Sequence, residues 1–328
     1  MYGAHVGVTE PLVWGEPSTW LDVVNGRSSI LFALLAGVSI AIISGRTRVA
    51  DGTDLRRARI RILVRAVLIF GLGVFLASLD TRIAIILPVY AVLFVAAIPV
   101  LRWRPLWLFV AAGILTIVSP AVAAVASLTI QTPGEIVDLL LTGHYPAVIW
   151  IVFVLVGLGV GRLELDARRV QLRLLAVGAG LAVIGYSLGV AAAEAVRSSA
   201  SPVAPDIGLL ATVEPHSGSP FEVVGSTGFA LAVLALCLLV APVARRALYP
   251  LAAVGSMALS AYTAHVVIVY FIGDSAFTQG DNGLYLAFVV GALVLCTIWA
   301  LLLGRGPLER LLTWVSGVAA RPTRRART

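Results

Sequence analysis

The chain has 328 residues, of which 59% are hydrophobic and 12% are charged, and its formal net charge is +7. Soluble domains carry about 25% charged residues, so this composition excludes a soluble globular protein and indicates an integral membrane protein. The pI near 10.0 does not indicate nucleic-acid binding, because the basic residues are all arginines that flank apolar runs and form no basic stripe with aromatic residues.

A membrane-spanning helix needs about 20 apolar residues. Nine segments approach that length, and they predict an all-α bundle that forms one integral membrane domain over residues 1–328. The predicted spans, in chain order, lie approximately at residues 28–44, 62–79, 83–101, 106–128, 146–161, 172–196, 223–241, 251–271 and 283–303.

The arginines alternate between the predicted connections. Arginine-rich connections, such as 46–61 and 162–173, are separated by connections with one arginine or none. Because basic loops stay in the cytoplasm, segment 1–26 is predicted outside and the basic tail 305–328 inside the plasma membrane. Only Arg27, Arg82 and Arg197 are predicted on the outer side.

Residues 2–7 resemble the outer end of a span whose inner part is missing, which would bring the count to ten spans. A late start site or a truncated chain would explain this, and the alternative is a short tail that is simply translocated. Cys237 and Cys296 lie inside apolar runs and are interpreted as small buried hydrophobic residues, with no disulfide framework.

All four histidines fall on the predicted outer side. His5, His144 and His216 lie in or beside outer loops, and His265 lies in the outer third of the eighth predicted span. Imidazole titrates near neutral pH, and polar groups within membranes commonly mark functional sites. This gathering therefore predicts a reaction or a binding site at the outer face.

The first candidate pair is His144 and Tyr145. Pro146 follows them and suits the first turn of a helix. A helix N-terminus favours an anionic ligand and also favours neutral imidazole, the form that a general base requires. The alternative is a Tyr-His pair that anchors the helix at the level of the lipid headgroups.

The second candidate group is Ser260, Tyr262 and His265, a dense set of polar residues for a membrane helix. Tyr262 and His265 are three residues apart, so they share one face of the helix. Polar groups at this depth usually face a protein interior or a wet cavity. The alternative is a hydrogen bond between helices that stabilises the bundle.

Arg27, at the start of the first span, is a candidate clamp for phosphate or carboxylate, and the alternative is a contact with lipid headgroups or an ion pair with Asp22 or another outer acidic residue. Glu214 and His216 could form a carboxylate–imidazole pair for substrate binding, and the alternative is a solvated loop.

His5 would join the other histidines at the outer face. The histidine spacing contains no His-x-His or His-x-x-x-His pattern, so no metal site is predicted.

Five motifs lie along the chain in a defined order, namely Gly26-Arg27-Ser28-Ser29 with 35–39, Thr142-Gly143-His144-Tyr145-Pro146, 157–162, Pro215-His216-Ser217-Gly218, and Ala261-Tyr262-Thr263-Ala264-His265. Their order and spacing together resemble the bacterial branch of the heparan-alpha-glucosaminide N-acetyltransferase-like family, as found in actinobacteria. The resemblance covers nearly the whole chain. Members of that family usually begin with a helix bearing an Asp and an Arg-Gly pair, just before the position of Ala4-His5.

This resemblance implies a transmembrane acyltransferase of the cell envelope. It would take acetyl from acetyl-CoA, a co-substrate and not a bound cofactor, and deliver it to a sugar or glycolipid on the outer face. Under this hypothesis the general base is His265 or His144. Tyr262 and Tyr145 would orient the reactants. Arg27 would hold an anionic group, and the remaining substrate-binding candidates are His216, Glu214, His5 and Ser260.

The alternative function is a proton-coupled transporter or lipid exporter that uses the same polar cluster. Against it, no acidic residue is predicted at mid-membrane, where proton relays usually need one. The expected partners are membrane lipid and the acceptor, with a homodimer as the candidate oligomer and no nucleic acid.

Overall fold

The computed structural model describes residues 2–7, 13, 15–199, 208, 210–274, 276 and 282–321. Every regular element within these ranges is helical, which confirms the all-α class. The predicted outer segment 1–26 and the predicted tail 305–328 are described only in part, because residues 1, 8–12, 14 and 322–328 lie outside the described residues.

The helices are named here in chain order. They are α1 (Tyr2–Val6), a 3-10 helix (Pro17–Val24), α2 (Arg27–Ile43), α3 (Gly52–Ala77), α4 (Leu87–Ala96), α5 (Pro105–Thr129), α6 (Glu135–Val137) with a π-helical turn (Asp138–Thr142), α7 (Ala147–Gly161), α8 (Arg168–Ser198), α9 (Pro220–Val240), α10 (Tyr249–Ser256), α11 (Ala258–Ile272), α12 (Asn282–Leu302) and α13 (Pro307–Ala319).

Six helical segments of the described chain are long and apolar enough to cross a membrane, namely Thr19–Ile43, α3, α5, α8, α9 and α12. Two further pairs of helices are bent, by 50° between Glu135–Thr142 and α7 and by 79° between α10 and α11. Counting each bent pair as one span gives up to eight. The structure therefore indicates a multi-pass membrane protein but does not confirm nine spans.

The third predicted span, 83–101, differs most from its prediction. Only α4 is helical there, and its 10 residues rise about 15 Å, half the thickness of a ~30 Å hydrocarbon core. Most of α4 is buried among other helices, so its apolar character reflects a protein environment. The segment still joins the two ends of the bundle, since Ile86 lines a cavity at one end and the Leu101 carbonyl accepts a hydrogen bond from Arg162 at the other.

Arg162, directly after α7, organises one end of the bundle. Its Nη1 donates to the carbonyl oxygens of Ser44 (3.2 Å) and Arg46 (2.8 Å), and its Nη2 donates to Ser44 Oγ (2.9 Å) and the Leu101 carbonyl (2.7 Å). These acceptors lie just beyond α2 and α4, where helices leave carbonyls unpaired. Burial lowers the pKa of Arg162, but the guanidinium stays charged at neutral pH. We call these four residues the Arg162 cluster and this end the arginine end.

Glycines bring α2 and α7 into close contact between the two ends. A Cβ at Gly157 would lie 1.9 Å from the Leu34 carbonyl oxygen, and one at Gly37 would lie 2.1 Å from that of Val154. No larger residue fits at such distances, so the two backbones touch directly. The glycines of 157–161 are therefore a packing face.

Ion pairs between loops join residues that are predicted on the same side of the membrane. Arg46 and Asp166 (3.5 Å) both belong to connections predicted inside, and Arg82 and Asp274 (3.3 Å) both belong to connections predicted outside. This agrees with the alternation of the arginines. Which end faces the cytoplasm stays a prediction.

Candidate functional site

The opposite end of the bundle, where α2, α7 and α9 begin, is called the histidine end. A small cavity of about 20 Å³ lies there, which is room for about one water molecule. Four of the residues that the sequence singled out line it together, although they lie in four separate stretches of the chain. The lining residues are His5, Gly26, Ser28, Ser29, Ala84, Ile86, Tyr145, His216 and Tyr262.

His265 lies behind His5. The two rings are stacked at 5.2 Å with 18° between their planes, and His5 Nδ1 lies 3.1 Å from His265 Nε2, so either ring can donate the hydrogen bond. His265 is 1% exposed and packs against the rings of Tyr2 and Phe288, both at 4.7 Å. Its other ring nitrogen, Nδ1, has no partner among the described residues.

His216 lies across the small cavity from this pair and belongs to an aromatic group. Its ring centroid lies 4.6 Å from that of His144 and 5.2 Å from that of Tyr145, and it is nearly parallel to Trp150 at 6.2 Å. Tyr145 in turn contacts Trp150 edge to face at 5.1 Å. The four histidines therefore form two contacting pairs, His265–His5 and His216–His144, on either side of one cavity.

A second, wide cavity of about 450 Å³ begins on the other side of His216. It lies between α5, the start of α7 and the loop before α9. Glu214 is the one charged side chain among the described residues that line it, and hydroxyl groups of Ser127 and Ser217 also reach it. His216 lines both cavities and therefore lies between them.

The histidine end is poor in satisfied polar contacts. His216 Nδ1 is buried without a hydrogen-bond partner in the described chain, as is His265 Nδ1. The Tyr262 hydroxyl lies close to the backbone of Ile86 without a well-formed hydrogen bond. Buried polar groups are normally paired, and unpaired ones need an explanation such as water or a ligand. A water in the small cavity would have several of these groups as partners.

His216 is held in the neutral state by its surroundings. Burial, and then the positive charge available to His144, lower the pKa of His216 to about 4. A neutral imidazole can accept a proton at physiological pH, which imidazolium cannot.

The local sequence explains how His216 reaches this position. His216 and Gly218 both have positive φ, at 64° and 66°, so the chain turns sharply just before α9. Ser219 then caps α9, since its Oγ accepts a hydrogen bond from the Glu222 backbone at 3.0 Å. On the facing side Gly26, with φ 71°, leaves room for Pro215, because a Cβ there would lie 2.7 Å from the Pro215 ring.

Arg27 lies beside the cavities but lines neither of them. Its Nε donates to the Tyr186 hydroxyl at 2.8 Å, and its Nη1 donates to the backbone carbonyls of Val23 (2.7 Å) and Asp22 (3.4 Å). The guanidinium also lies over the Tyr186 ring, 4.9 Å from its centroid. These contacts bind Arg27 to neighbouring helices, so its placement favours a structural role over the predicted anion clamp, and the predicted ion pair with the Asp22 carboxylate is not the contact seen.

Sequence reasoning missed the polar chain that continues from Arg27. The Tyr186 hydroxyl lies 3.0 Å from Ser226 Oγ, and Ser226 donates to Glu222 Oε1 at 3.2 Å. Glu222 is 4% exposed, so an acidic residue is buried in α9 where none was predicted. The Ser-Pro-Phe-Glu sequence at 219–222, which fits a helix capping box, was the signal that could have placed Glu222 inside the helix.

Ser260 lines a groove between α11 and α12 together with His265, and its hydroxyl bonds to α13. Its Oγ donates to Glu309 Oε2 at 2.5 Å and accepts from the Leu308 backbone at 3.1 Å. Glu309 also accepts from the backbone of Leu259 at 2.8 Å. Ser260 and Glu309 therefore cap the start of α11 and connect it to α13, a structural arrangement that differs from the predicted substrate contact.

The comparisons with known proteins are limited to one family. A family model described as "Protein of unknown function (DUF418)" matches residues 160–318, just under half of the chain. The matched range includes His216, Glu214, Tyr262 and His265. The family description gives no function, so it assigns these residues no role. No curated protein and no solved structure matches the chain. The resemblance to membrane acyltransferases stays a prediction.

Proposed function

We propose that this chain is a transmembrane acyltransferase whose reaction takes place at the histidine end. The observation that carries the proposal is the convergence of four histidines from distant parts of the sequence into two contacting pairs, with one member of each pair lining a shared small cavity and His216 also lining a wide cavity. The family resemblance of the sequence motifs supplies the reaction class. Acetyl-CoA is the proposed donor, and a sugar or glycolipid of the cell envelope is the proposed acceptor.

The geometry supports His216 as the general base. His216 lines the wide cavity that we propose holds the acceptor, whereas His265 lies behind His5 and lines a different groove. Deprotonating a hydroxyl or amine by a positioned imidazole accelerates a reaction by about 10²–10⁴-fold. His144 and Tyr145, which pack on His216, would orient its ring. His265 and His144, which the sequence indicated as candidates for the general base, would then influence the reaction only through His216.

A second candidate function, proton-coupled transport, gains support from Glu222. The sequence argument against transport was the lack of an acidic residue at mid-membrane, and Glu222 is a buried carboxyl group in the first turn of α9. Buried acidic residues in membrane helices often mark ion or proton pathways. Glu222 belongs to a hydrogen-bonded chain with Ser226 and Tyr186, however, and not to the histidine cavity.

The test uses the purified full chain in proteoliposomes with radiolabelled acetyl-CoA and an extract of envelope sugars and lipids. Covalent label on a sugar or lipid is the expected result. His216→Ala and His144→Ala should lower its formation, with unchanged expression and size in detergent.

Uptake of unmodified solute without any covalent label would replace this proposal with the transporter. Normal transfer by both variants would overturn the assignment of the site. Glu222→Gln separates the two functions further, because transport through Glu222 would be lost in this variant while acyl transfer would continue.

A further inference from the structure

The wide cavity, the proposed site of the acceptor, has negative charge and no positive charge on the described residues that line it. Glu214, an exposed residue of the loop before α9, is the one charged side chain among them. His216 shares the cavity and is neutral at physiological pH, because burial lowers its pKa to about 4. An acceptor that enters the cavity therefore meets a carboxylate.

The arginines that are predicted on this side of the membrane are bound elsewhere. Arg27 donates to backbone carbonyls and to a tyrosine hydroxyl. Arg82 forms an ion pair with Asp274 at 3.3 Å, and Arg197 forms one with Glu194 at 2.7 Å. None of the three lines the wide cavity. Proteins bind phosphate and carboxylate groups with guanidinium groups or with several N–H donors, so an anionic acceptor would enter this cavity without a compensating charge.

Two oxygen-bearing side chains of the cavity also favour a ligand that donates hydrogen bonds. Thr142 Oγ1 donates to Asp138 Oδ1 at 2.7 Å, so its oxygen can only accept from a ligand. The ionised carboxylate of Glu214 is likewise an acceptor only. Sugar hydroxyls supply such donors, whereas phosphate and carboxylate oxygens do not. Apolar walls such as Pro120 and Leu141 suit the C–H faces of a sugar ring.

We infer that Glu214 is a specificity-determining residue, which restricts the acyl acceptor to a sugar that carries no negative charge on the residue being acylated. Uronic acids and phosphorylated sugars are then poor acceptors. This inference rests on the proposed function and narrows its substrate class. Acetyl-CoA remains compatible with it, because the phosphates can stay outside the cavity while the uncharged arm that bears the thioester reaches His216.

The size of the discrimination follows from the repulsion between two like charges. At a separation of about 4 Å, a carboxylate disfavours a second negative charge by roughly 5-fold in water and by far more near a protein surface of lower dielectric constant. Glu214 is exposed, so the effect lies towards the lower end of this range. We expect a preference of about 10-fold for uncharged over anionic sugars.

The first test reads the charge of the acylated sugar on the unaltered chain. Proteoliposomes receive radiolabelled acetyl-CoA and an envelope extract that contains both uncharged and acidic sugars. Glycosidases then release the labelled residue with its acetyl group in place, and anion-exchange chromatography separates acidic from uncharged residues. We expect the label mainly in the fraction that does not bind the resin.

Label mainly on a uronic acid or a phosphorylated sugar would overturn the inference while the acyltransferase proposal stands. Absence of label from every sugar and lipid would overturn the acyltransferase proposal, and the inference with it.

The second test compares two variants that each remove one negative charge. Glu214→Gln should raise the ratio of labelled acidic to labelled uncharged residues by about 10-fold, because the repulsion is lost. Glu135→Gln is the matched control, since Glu135 is an exposed residue of α6 that does not line the cavity, and it should leave this ratio unchanged. An unchanged ratio in Glu214→Gln, or an equal rise in both variants, would overturn the role of Glu214.

Ionic strength separates an effect of charge from an effect of loop shape. Raising the salt concentration from about 0.1 M to about 1 M shortens the screening length from about 10 Å to about 3 Å. The ratio should then rise in the unaltered chain and stay constant in Glu214→Gln. A ratio that does not respond to salt in the unaltered chain would contradict selection by the Glu214 charge.

Discussion

The two ends of the bundle differ in how fully their buried polar atoms are hydrogen-bonded. At the arginine end, Arg162 donates four hydrogen bonds to acceptors just beyond α2 and α4, and only its Nε lacks a partner. At the histidine end, His216 and His265 each keep a buried ring nitrogen unpaired within the described chain. Each unpaired buried group costs about 1–3 kcal/mol of stability, so a protein retains such groups where another property, such as its function, benefits from them. The difference is consistent with a stabilising role at the arginine end and with the proposed chemistry at the histidine end.

The strongest test of the stabilising role is Arg162→Ala. The substitution leaves the buried Leu101 carbonyl without its donor and removes one donor each from Ser44 Oγ and from the Ser44 and Arg46 carbonyls, and hydrogen bonds to charged groups contribute about 1.5–3 kcal/mol each. We expect the free energy of unfolding to fall by about 3 kcal/mol or more. Thermal unfolding in detergent measures this loss. Arg173→Ala, an exposed arginine at the start of α8, is the matched control and should unfold like the unaltered chain.

The glycine contact between α2 and α7 gives the next largest effect. Gly157→Ala would place a methyl group 1.9 Å from the Leu34 carbonyl, so the helices must separate, at a cost of about 2–3 kcal/mol. Gly113→Ala in α5 adds a methyl with no atom within 4 Å and should be neutral or slightly stabilising. Equal unfolding temperatures for the two variants would show that α2 and α7 do not touch.

Gly26→Ala tests the histidine end with a smaller change. The residue has φ 71°, and its new methyl would contact Pro215, next to His216. We expect a loss of about 1–2 kcal/mol in stability from the strained backbone. Acetyl transfer should fall further than stability explains, because His216 is displaced. Gly15→Ala, where nothing lies within 4 Å, should change neither quantity.

The last prediction is a dependence of stability on pH. The pKa of His216 is lowered to about 4, so the unfolded chain binds this proton before the folded chain as the pH falls below about 6.5. The contribution of His216 to stability is therefore complete above about pH 6.5 and is lost as the pH falls to about 4. His144 and Tyr145 face the same ring. His216→Gln should flatten this part of the pH–stability curve, and an unchanged slope would contradict the buried neutral imidazole.

The sequence predicted the gathering of the histidines but not their pairing. Arginine alternation assigned all four to one side, and the structure brings them to one end of the bundle. The pairing of His5 with His265 depends on how α1 docks against α11 and α12, which a hydropathy pattern does not encode. For the same reason, the sequence could not predict that this pair would lie beside a cavity that His216 also lines.

Other parts of the fold were harder to predict for definite physical reasons. The apolar run at 83–101 looks the same whether lipid or protein surrounds it, and α4 is in fact buried by protein. The contacts of Arg27 with backbone carbonyls and the Tyr186 hydroxyl were not predicted, because these groups accept hydrogen bonds from a guanidinium as an anion does. Ser260 was assigned to the outer site because of its neighbours in sequence, whereas its partner, Glu309, comes from α13.

The most direct test of the difference between the two ends measures two quantities on the same preparations of His216→Ala and Arg162→Ala, the acetyl-transfer rate per folded molecule and the unfolding temperature. We predict a crossed result, in which His216→Ala loses transfer by at least about 10²-fold and keeps its unfolding temperature, and Arg162→Ala loses unfolding temperature but keeps its rate per folded molecule. A His216→Ala chain that unfolds early, or that transfers acetyl normally, would contradict the assignment of chemistry to the histidine end.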